Sequence, residues 1–416
     1  MSSAHVDSKL VFERENIYLP ESGRLVSNIC MIIGALLTAG VFAVIFRGDK
    51  ETVKAVLHSY HAGMLVALGI PLGAMIFVMI NLQVRAGWML SIRRQFENMM
   101  KLIWVGLVLF LLGAVMQIIA ANRDTDPVFL FKWMDSHYTA GDVIYESKAG
   151  YLNLFWFCVR AAVYFAIWLG LSFALWTFAR QHDKDKDKAH VRSARKLAAV
   201  GIVLFAFSTA FASFDWIMSL DFHWFSTMFG VFFFAGNILS ALTMGTLILI
   251  FLRARGRLHG AFTVEHLHDL GKLIFGFTVF WAYISFSQYF LIWYANIPEE
   301  TAYFLKRKTG DWELLSYIIP IAGFIVPFLV LLFRPNKRSF VVMGVMCVWL
   351  LVVHVIDMMW YVRAEAGQNL YFIDLLAVLG PILFFLGMLI RQVGSGPLMP
   401  LSDPRMQEAL EHKNYV

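Results

Sequence analysis

Leu102-Ile103-Trp104-Val105-Gly106-Leu107-Val108-Leu109-Phe110-Leu111-Leu112-Gly113-Ala114-Val115-Met116-Gln117-Ile118-Ile119-Ala120-Ala121 carries no charge, and Gln117 is its only strongly polar side chain. A bilayer core about 30 Å thick is crossed by roughly 20 apolar residues. Inside lipid the chain must satisfy its own N–H and C=O groups, which a helix does without a partner strand. Working outward, nine further runs of this kind appear, at about 25–46, 59–82, 152–179, 197–219, 229–252, 271–295, 315–333, 339–362 and 371–391. The expected fold is therefore all-α, an integral membrane protein with ten transmembrane helices. It divides into an N-terminal segment 1–24, a membrane domain 25–391 and a C-terminal tail 392–416.

Composition agrees. Of the 416 residues, 59% are apolar or aromatic and 15% are charged, and Phe alone numbers 38. That excludes a disordered chain, which needs low hydrophobicity and high charge. The formal charge of +6 is no sign of nucleic-acid binding, because surplus Lys and Arg in a membrane protein collect in cytoplasmic loops. Of the 35 Lys and Arg, 24 fall on the side of the N-terminus and 10 on the other, with Arg160 inside a span. Both termini are thus expected in the cytoplasm. The loop run Asp183-Lys184-Asp185-Lys186-Asp187-Lys188 reads as a solvated connector. Pro71, Pro320, Pro327 and Pro381 lie within spans, where neighbouring helices can satisfy the freed carbonyls. Cys30, Cys158 and Cys347 are isolated, with no C-x-x-C pair, so cysteine-ligated clusters and c-type haem attachment are unsupported.

Ionisable groups inside spans are costly and mark functional sites by default. His61 starts the second span, Arg160 lies in the outer half of the fourth, and Asp215 ends the fifth. His354 and Asp357 lie in the outer part of the ninth, and Asp374 opens the tenth. They gather toward the non-cytoplasmic leaflet. His354 and Asp357 are three apart and share a helix face, with Tyr361 four further on. Such a pair can pass protons near neutral pH, or simply knit helices together. Arg160 can bridge to Asp215. Glu265, His266, His268, Asp269 and Lys272 crowd the cytoplasmic mouth of the seventh span, either capping the helix or collecting protons. With only His61 and His354 inside the membrane, at most one haem could be ligated, so no bound haem, iron–sulfur cluster or metal is expected. The long loop 122–151 and the stretch Asp221-Phe222-His223 either dock a partner or form a self-packed lid.

One internal echo stands out. Ser213-Phe214-Asp215-Trp216 ends the fifth span and Val355-Ile356-Asp357-Met358 ends the ninth. A four-helix offset between two outward-running spans hints at parallel repeats, spans 2–5 and 6–9.

Longer motifs carry a family resemblance: Arg85-Ala86-Gly87-Trp88 with Arg93-Arg94, Phe214-Asp215-Trp216-Ile217-Met218-Ser219-Leu220-Asp221, His223-Trp224-Phe225-Ser226-Thr227, Phe233-Phe234-Ala235-Gly236, His268-Asp269-Leu270-Gly271-Lys272, Trp281-Ala282-Tyr283, and Gln288-Tyr289 through Trp293-Tyr294-Ala295-Asn296 to Pro298-Glu299-Glu300. Across essentially its whole length the chain resembles the NrfD-like (polysulfide-reductase) membrane subunits. Within these it is most similar to the ActF type, the second ten-helix subunit of alternative complex III, a quinol:cytochrome c oxidoreductase. The resemblance implies two four-helix bundles, spans 2–5 and 6–9, flanked by helices 1 and 10. It implies a bacterial inner (cytoplasmic) membrane location. The implied partners are a homologous ten-helix subunit, an iron–sulfur subunit, multihaem and monohaem c-type cytochromes, and small membrane subunits. It also implies quinol oxidation near the outer face, possible proton translocation, and a subunit rather than a complete enzyme. The sister subunit carries a histidine where this chain has Phe225, which argues against a full quinol site. His61-Ala62-Gly63, in contrast, resembles the sister's quinone-site stretch.

Two site expectations follow. His61, Arg160 and Asp215 would line a quinone pocket. Glu265, His268 and Asp269 would form the inner mouth of a proton route, with His354, Asp357 and Asp215 at its outer end. A purely structural scaffold is the alternative, and a stand-alone secondary transporter is the more distant one.

Overall fold

The structure is a computed structural model that describes residues 11–20, 23–124 and 126–414. The first ten residues of the expected N-terminal segment, with 21–22, 125 and the last two of the tail, lie outside the described residues. Ten helices are long and apolar enough to cross a membrane, and no strand occurs among the described residues. They are α1 Gly23–Arg47, α2 Lys50–Val84, α3 Arg93–Ala121, α4 Leu154–Asp185, α5 Lys188–Leu220, α6 Phe229–Ala254, α7 Val264–Ala295, α8 Asp311–Leu332, α9 Phe340–Glu365 and α10 Phe372–Val393. The chain is a multi-pass membrane protein. Both terminal segments lie on one face of the bundle, where Leu398 N–H donates to the carbonyl of Ile17. This is called the terminal face below, and its opposite the far face.

Several helices outrun their apolar cores. α2 begins nine residues before the expected 59, because Asp49 caps it by accepting from Thr52 N–H at 3.1 Å and because it is almost wholly enclosed by protein. His58, Ser59 and His61 near its start are buried in protein, and hydropathy cannot register that. α7 likewise begins at Val264, which puts Glu265, His266, His268 and Asp269 in its first two turns. The acidic–basic run 183–188 is more than a solvated connector. Asp183 pairs with Arg94, Lys186 takes the left-handed turn, and Asp187 caps α5 by accepting from Ala189 N–H at 2.8 Å.

α2 and α6 are the most enclosed helices and pack on each other. Around α2 stand α3 and α5, with α4 on α5. Around α6 stand α7 and α9, with α8 between those two. Each group's internal pairing has its counterpart in the other. So does the seam, where α5 meets α6 as α9 meets α2. This equivalence is what parallel four-helix repeats produce, and it extends the aspartate echo to α2–α9. α1 and α10 pair with each other and lie against α2. Small residues let these backbones touch: a Cβ on Gly387 would meet Met31 Cγ at 2.6 Å, and Ser27 Oγ donates to the Gly387 carbonyl at 2.8 Å.

α8 is irregular. After Pro320 the chain makes a π-helical turn, Ile321–Ile325, before resuming at Val326. Trp349 Nε1 on α9 donates to the freed Ala322 carbonyl at 2.7 Å, as the intramembrane prolines require. The wide turn presents Gly323 to the ring of Trp281, where an added Cβ would stand 2.8 Å from an indole carbon. Gly323→Val is expected to destabilise the protein by about 1–3 kcal/mol through overpacking, read as a lower thermal midpoint in detergent.

Candidate functional site

The two echoed aspartates end in opposite circumstances. Asp215, fully buried on α5, is gripped by Arg160 of α4 through Nε and Nη2 at 2.8 and 2.9 Å, and Tyr164 Oη donates to it at 2.7 Å. Arg160 also donates to the Tyr151 carbonyl at 2.9 Å and lies 3.8 Å from that ring's centre. His61 of α2 comes next to this group, its Nε2 bonded at 2.8 Å to the carbonyl of Trp216 and its ring edge-on to Phe131. The fold therefore brings His61, Arg160 and Asp215 together. Their hydrogen bonds, however, are spent on each other and on the backbone, within packed rings of Tyr164, Phe165, Trp168 and Trp216.

Asp357 on α9 has no ion-pair partner among the described residues, and its one side-chain hydrogen bond there comes from Trp281 Nε1 of α7 at 3.2 Å. It stands at the back of a cavity of about 560 Å³ between α7, α8 and α9, walled by Trp281, Ser285, Tyr289, Ser316, Trp360 and Tyr361. Lys308 and Glu313 lie at its far-face end. Tyr283, Phe286 and Tyr317 also line it and are 61–65% exposed, so it opens sideways toward lipid. Asp357 and Trp281 also border a second void of about 20 Å³, which His354, Gly236, Gly323, Leu239, Leu350 and Val353 also line. His354 is buried, and its Nε2 has no partner among the described residues. A void that size accepts about one water, which would link His354 to Asp357. The two share a helix face as expected, but they are not bonded to each other directly.

The terminal-face cluster is closed over. Arg338 pairs with Glu265 through Nη1, at 2.9 Å, and Nη2, and Asn414 donates to the same carboxylate. Asp269 pairs with Lys272 at 2.5 Å and with His412. His268 is buried, with Nδ1 unpartnered among the described residues. The C-terminal segment 406–414 thus covers the expected proton mouth, a contact that no spacing rule in the sequence announces.

At the far face, loop residues 126–151 pack down as a lid. Lys132 Nζ reaches Glu365 at 2.8 Å and Asp221 at 3.3 Å, Lys148 Nζ donates to the Phe222 carbonyl at 2.7 Å, and His223 Nε2 meets Asp142 at 2.7 Å. Burial works against the Lys132 charge, but Glu365 and Asp221 outweigh it and hold its pKa above the ordinary lysine value. A raised lysine keeps its contribution through neutral pH and loses it only as pH climbs past the alkaline lysine range. Arg307, fully buried, pairs with Glu365 at 3.0 Å and caps the carbonyls of Trp360 and Tyr361 at 3.1 and 3.0 Å. That fixes the end of α9 and the wall of the cavity. Asp374 is saturated by Arg363, Ser59 and the Tyr371 N–H.

Sequence reasoning missed Arg307, Glu365, Ser316, Lys308 and Glu313, and read Ser285 only as one of the neutral side chains between the two expected proton groups. The available signal was the Pro320–Gly323–Pro327 spacing, which marks α8 as broken beside Asp357. Among the described residues no group of three or more His, Cys, Asp or Glu is placed to hold a metal ion. Comparison with protein-family models and with curated proteins finds no match for this chain.

Proposed function

We propose that this chain is a membrane subunit of a quinol:cytochrome c oxidoreductase of the alternative complex III type, seated in a bacterial inner membrane with both termini cytoplasmic. In this reading it binds a quinone headgroup in the α7–α9 cavity. The carrying observation is Asp357: a buried carboxyl without a counter-ion among the described residues, facing an aromatic cavity that opens to lipid. The volume falls within the range of pockets that take small molecules, and a sideways mouth suits a ligand dissolved in the bilayer. Asp357 hydrogen-bonds the headgroup and takes one of the quinol's two phenolic protons, the second leaves to water at the far-face end, and the two electrons would pass to haem and iron–sulfur groups held by partner subunits. Lys308 and Glu313 sit at the far-face end, where both protons would be released. His61, Arg160 and Asp215 form the matching but filled site of the first repeat, with a structural role. The chain is then one part of an enzyme.

Filling the cavity tests this. Ala282→Trp is expected to weaken binding of a short-chain quinone analogue by more than about 10-fold, since overlap with the headgroup forfeits at least the ~1.4 kcal/mol that one decade represents. The readout is quenching of tryptophan fluorescence in the purified complex, with assembly unchanged. Unaltered binding and turnover would leave the scaffold reading, which the saturated first-repeat site and the packed far-face lid favour.

A further inference from the structure

At the terminal face, three cations converge on one indole. Trp176 of α4 has Arg180 Cζ at 4.4 Å, Lys101 Nζ at 4.5 Å and Arg94 Cζ at 5.9 Å from its ring centre. Arg94 is fully buried and ion-paired with Asp183 and, at 2.8 Å, with Glu97. Arg93 takes the other Glu97 oxygen at 2.9 Å and Asp403 at 3.7 Å. The three nearby carboxylates are thereby consumed. Lys101 and Arg180 are left with no carboxylate in ion-pair range among the described residues, and both remain partly accessible.

Their position is built by the fold. Lys101 sits at the break in α3, between the turns ending at Met100 and starting at Ile103, and Ser172 Oγ of α4 donates to the Met100 carbonyl at 2.9 Å. That bond docks α4 against the break, and one turn further on α4 presents Trp176 and then Arg180. Beyond Lys101, α3 exposes Trp104, Val108, Leu111, Val115 and Ile118. These are spaced by three or four residues, so they form one apolar stripe running down the helix from the two cations.

We propose that Lys101 and Arg180, braced on Trp176, hold the phosphate ester of an anionic membrane lipid whose acyl chains lie along that stripe. Two unpaired donors at the end of a lipid-facing stripe recognise a phosphate with chains attached, whereas a soluble phosphate would make no use of the stripe. Basic pockets between helices on the positively charged side are where such headgroups bind. The proposal stands apart from the quinone reading, because it concerns the other repeat and the other face.

The test uses the full chain in detergent, with lipid retention read by native mass spectrometry after titration with phosphatidylglycerol or phosphatidylcholine. Wild type is expected to retain phosphatidylglycerol in preference. K101Q/R180Q is expected to bind it about 30-fold more weakly, corresponding to ~2 kcal/mol for two interfacial cations. K101R/R180K keeps the charges and is expected to keep the lipid, which separates lost recognition from lost folding. Equal retention of phosphatidylcholine, undiminished retention in K101Q/R180Q, or loss in K101R/R180K would overturn the proposal. Displacement by inorganic phosphate at matched concentration would overturn it in favour of a soluble ligand.

Discussion

Arg160→Ala is expected to be the most damaging single substitution in the first repeat, costing about 3–5 kcal/mol, the range for removing one partner of a buried ion pair. Asp215 is fully buried, and Arg160 supplies two of its three side-chain donors. Removing the guanidinium leaves only tyrosine hydroxyls, chiefly that of Tyr164, beside the buried carboxylate. It also frees the Tyr151 carbonyl and strips the stacked cation from that ring. The cost is that of an uncompensated charge rather than the net value of the pair, so the double variant R160A/D215N is expected to recover most of it. The measurement is the half-life of the folded protein in detergent at fixed temperature. R160A matching wild type would mean that Asp215 does not depend on its cation, and the filled-site assignment would fall with it.

The Asp215 pair also shows how far the sequence could be read. That Arg160 and Asp215 meet was legible, because an unpaired charge at that depth is too costly to leave alone and only one cation lies inside a span. Ten spans were legible for the same reason: lipid penalises every polar side chain and so prints itself on composition. Helix starts were misread where lipid is not the neighbour. His58, Ser59 and His61 lie in α2, which protein surrounds, and there hydropathy measures the wrong solvent. The repeat was visible in two aspartates, but their divergence was not. Asp357 differs from Asp215 through what α7 and α8 place beside it. The π-turn at Gly323 makes room for the Trp281 ring, and no cation on α8 stands in for Arg160. Such an absence on a neighbouring helix leaves no mark near Asp357 in the chain. The closure of Glu265 and Asp269 by Asn414 and His412 spans more than 140 positions, beyond any local pattern.

Asp357→Asn separates the functional readings most sharply. Asparagine keeps an acceptor oxygen for Trp281 Nε1, keeps the volume of the cavity wall, and removes only the group that can take a proton. Since Asp357 has no ion-pair partner among the described residues, no charge is stranded, and the thermal midpoint is expected to stay close to that of wild type. Quinol turnover by the assembled complex is expected to fall about 100-fold or more, the usual contribution of a positioned acid–base group. The loss should lie in kcat, with quinone-analogue affinity changed little, because the substituted amide can still hydrogen-bond a headgroup oxygen. Asp357→Glu restores a titratable group one methylene longer and is expected to regain part of the rate, whereas Trp281→Phe, which removes the donor and leaves the carboxyl, is expected to alter the pH profile of turnover more than its maximum. A scaffold moves none of these readouts. Wild-type kcat in Asp357→Asn would therefore remove the carboxyl from the chemistry and leave the cavity as a lipid-filled groove between α7 and α8.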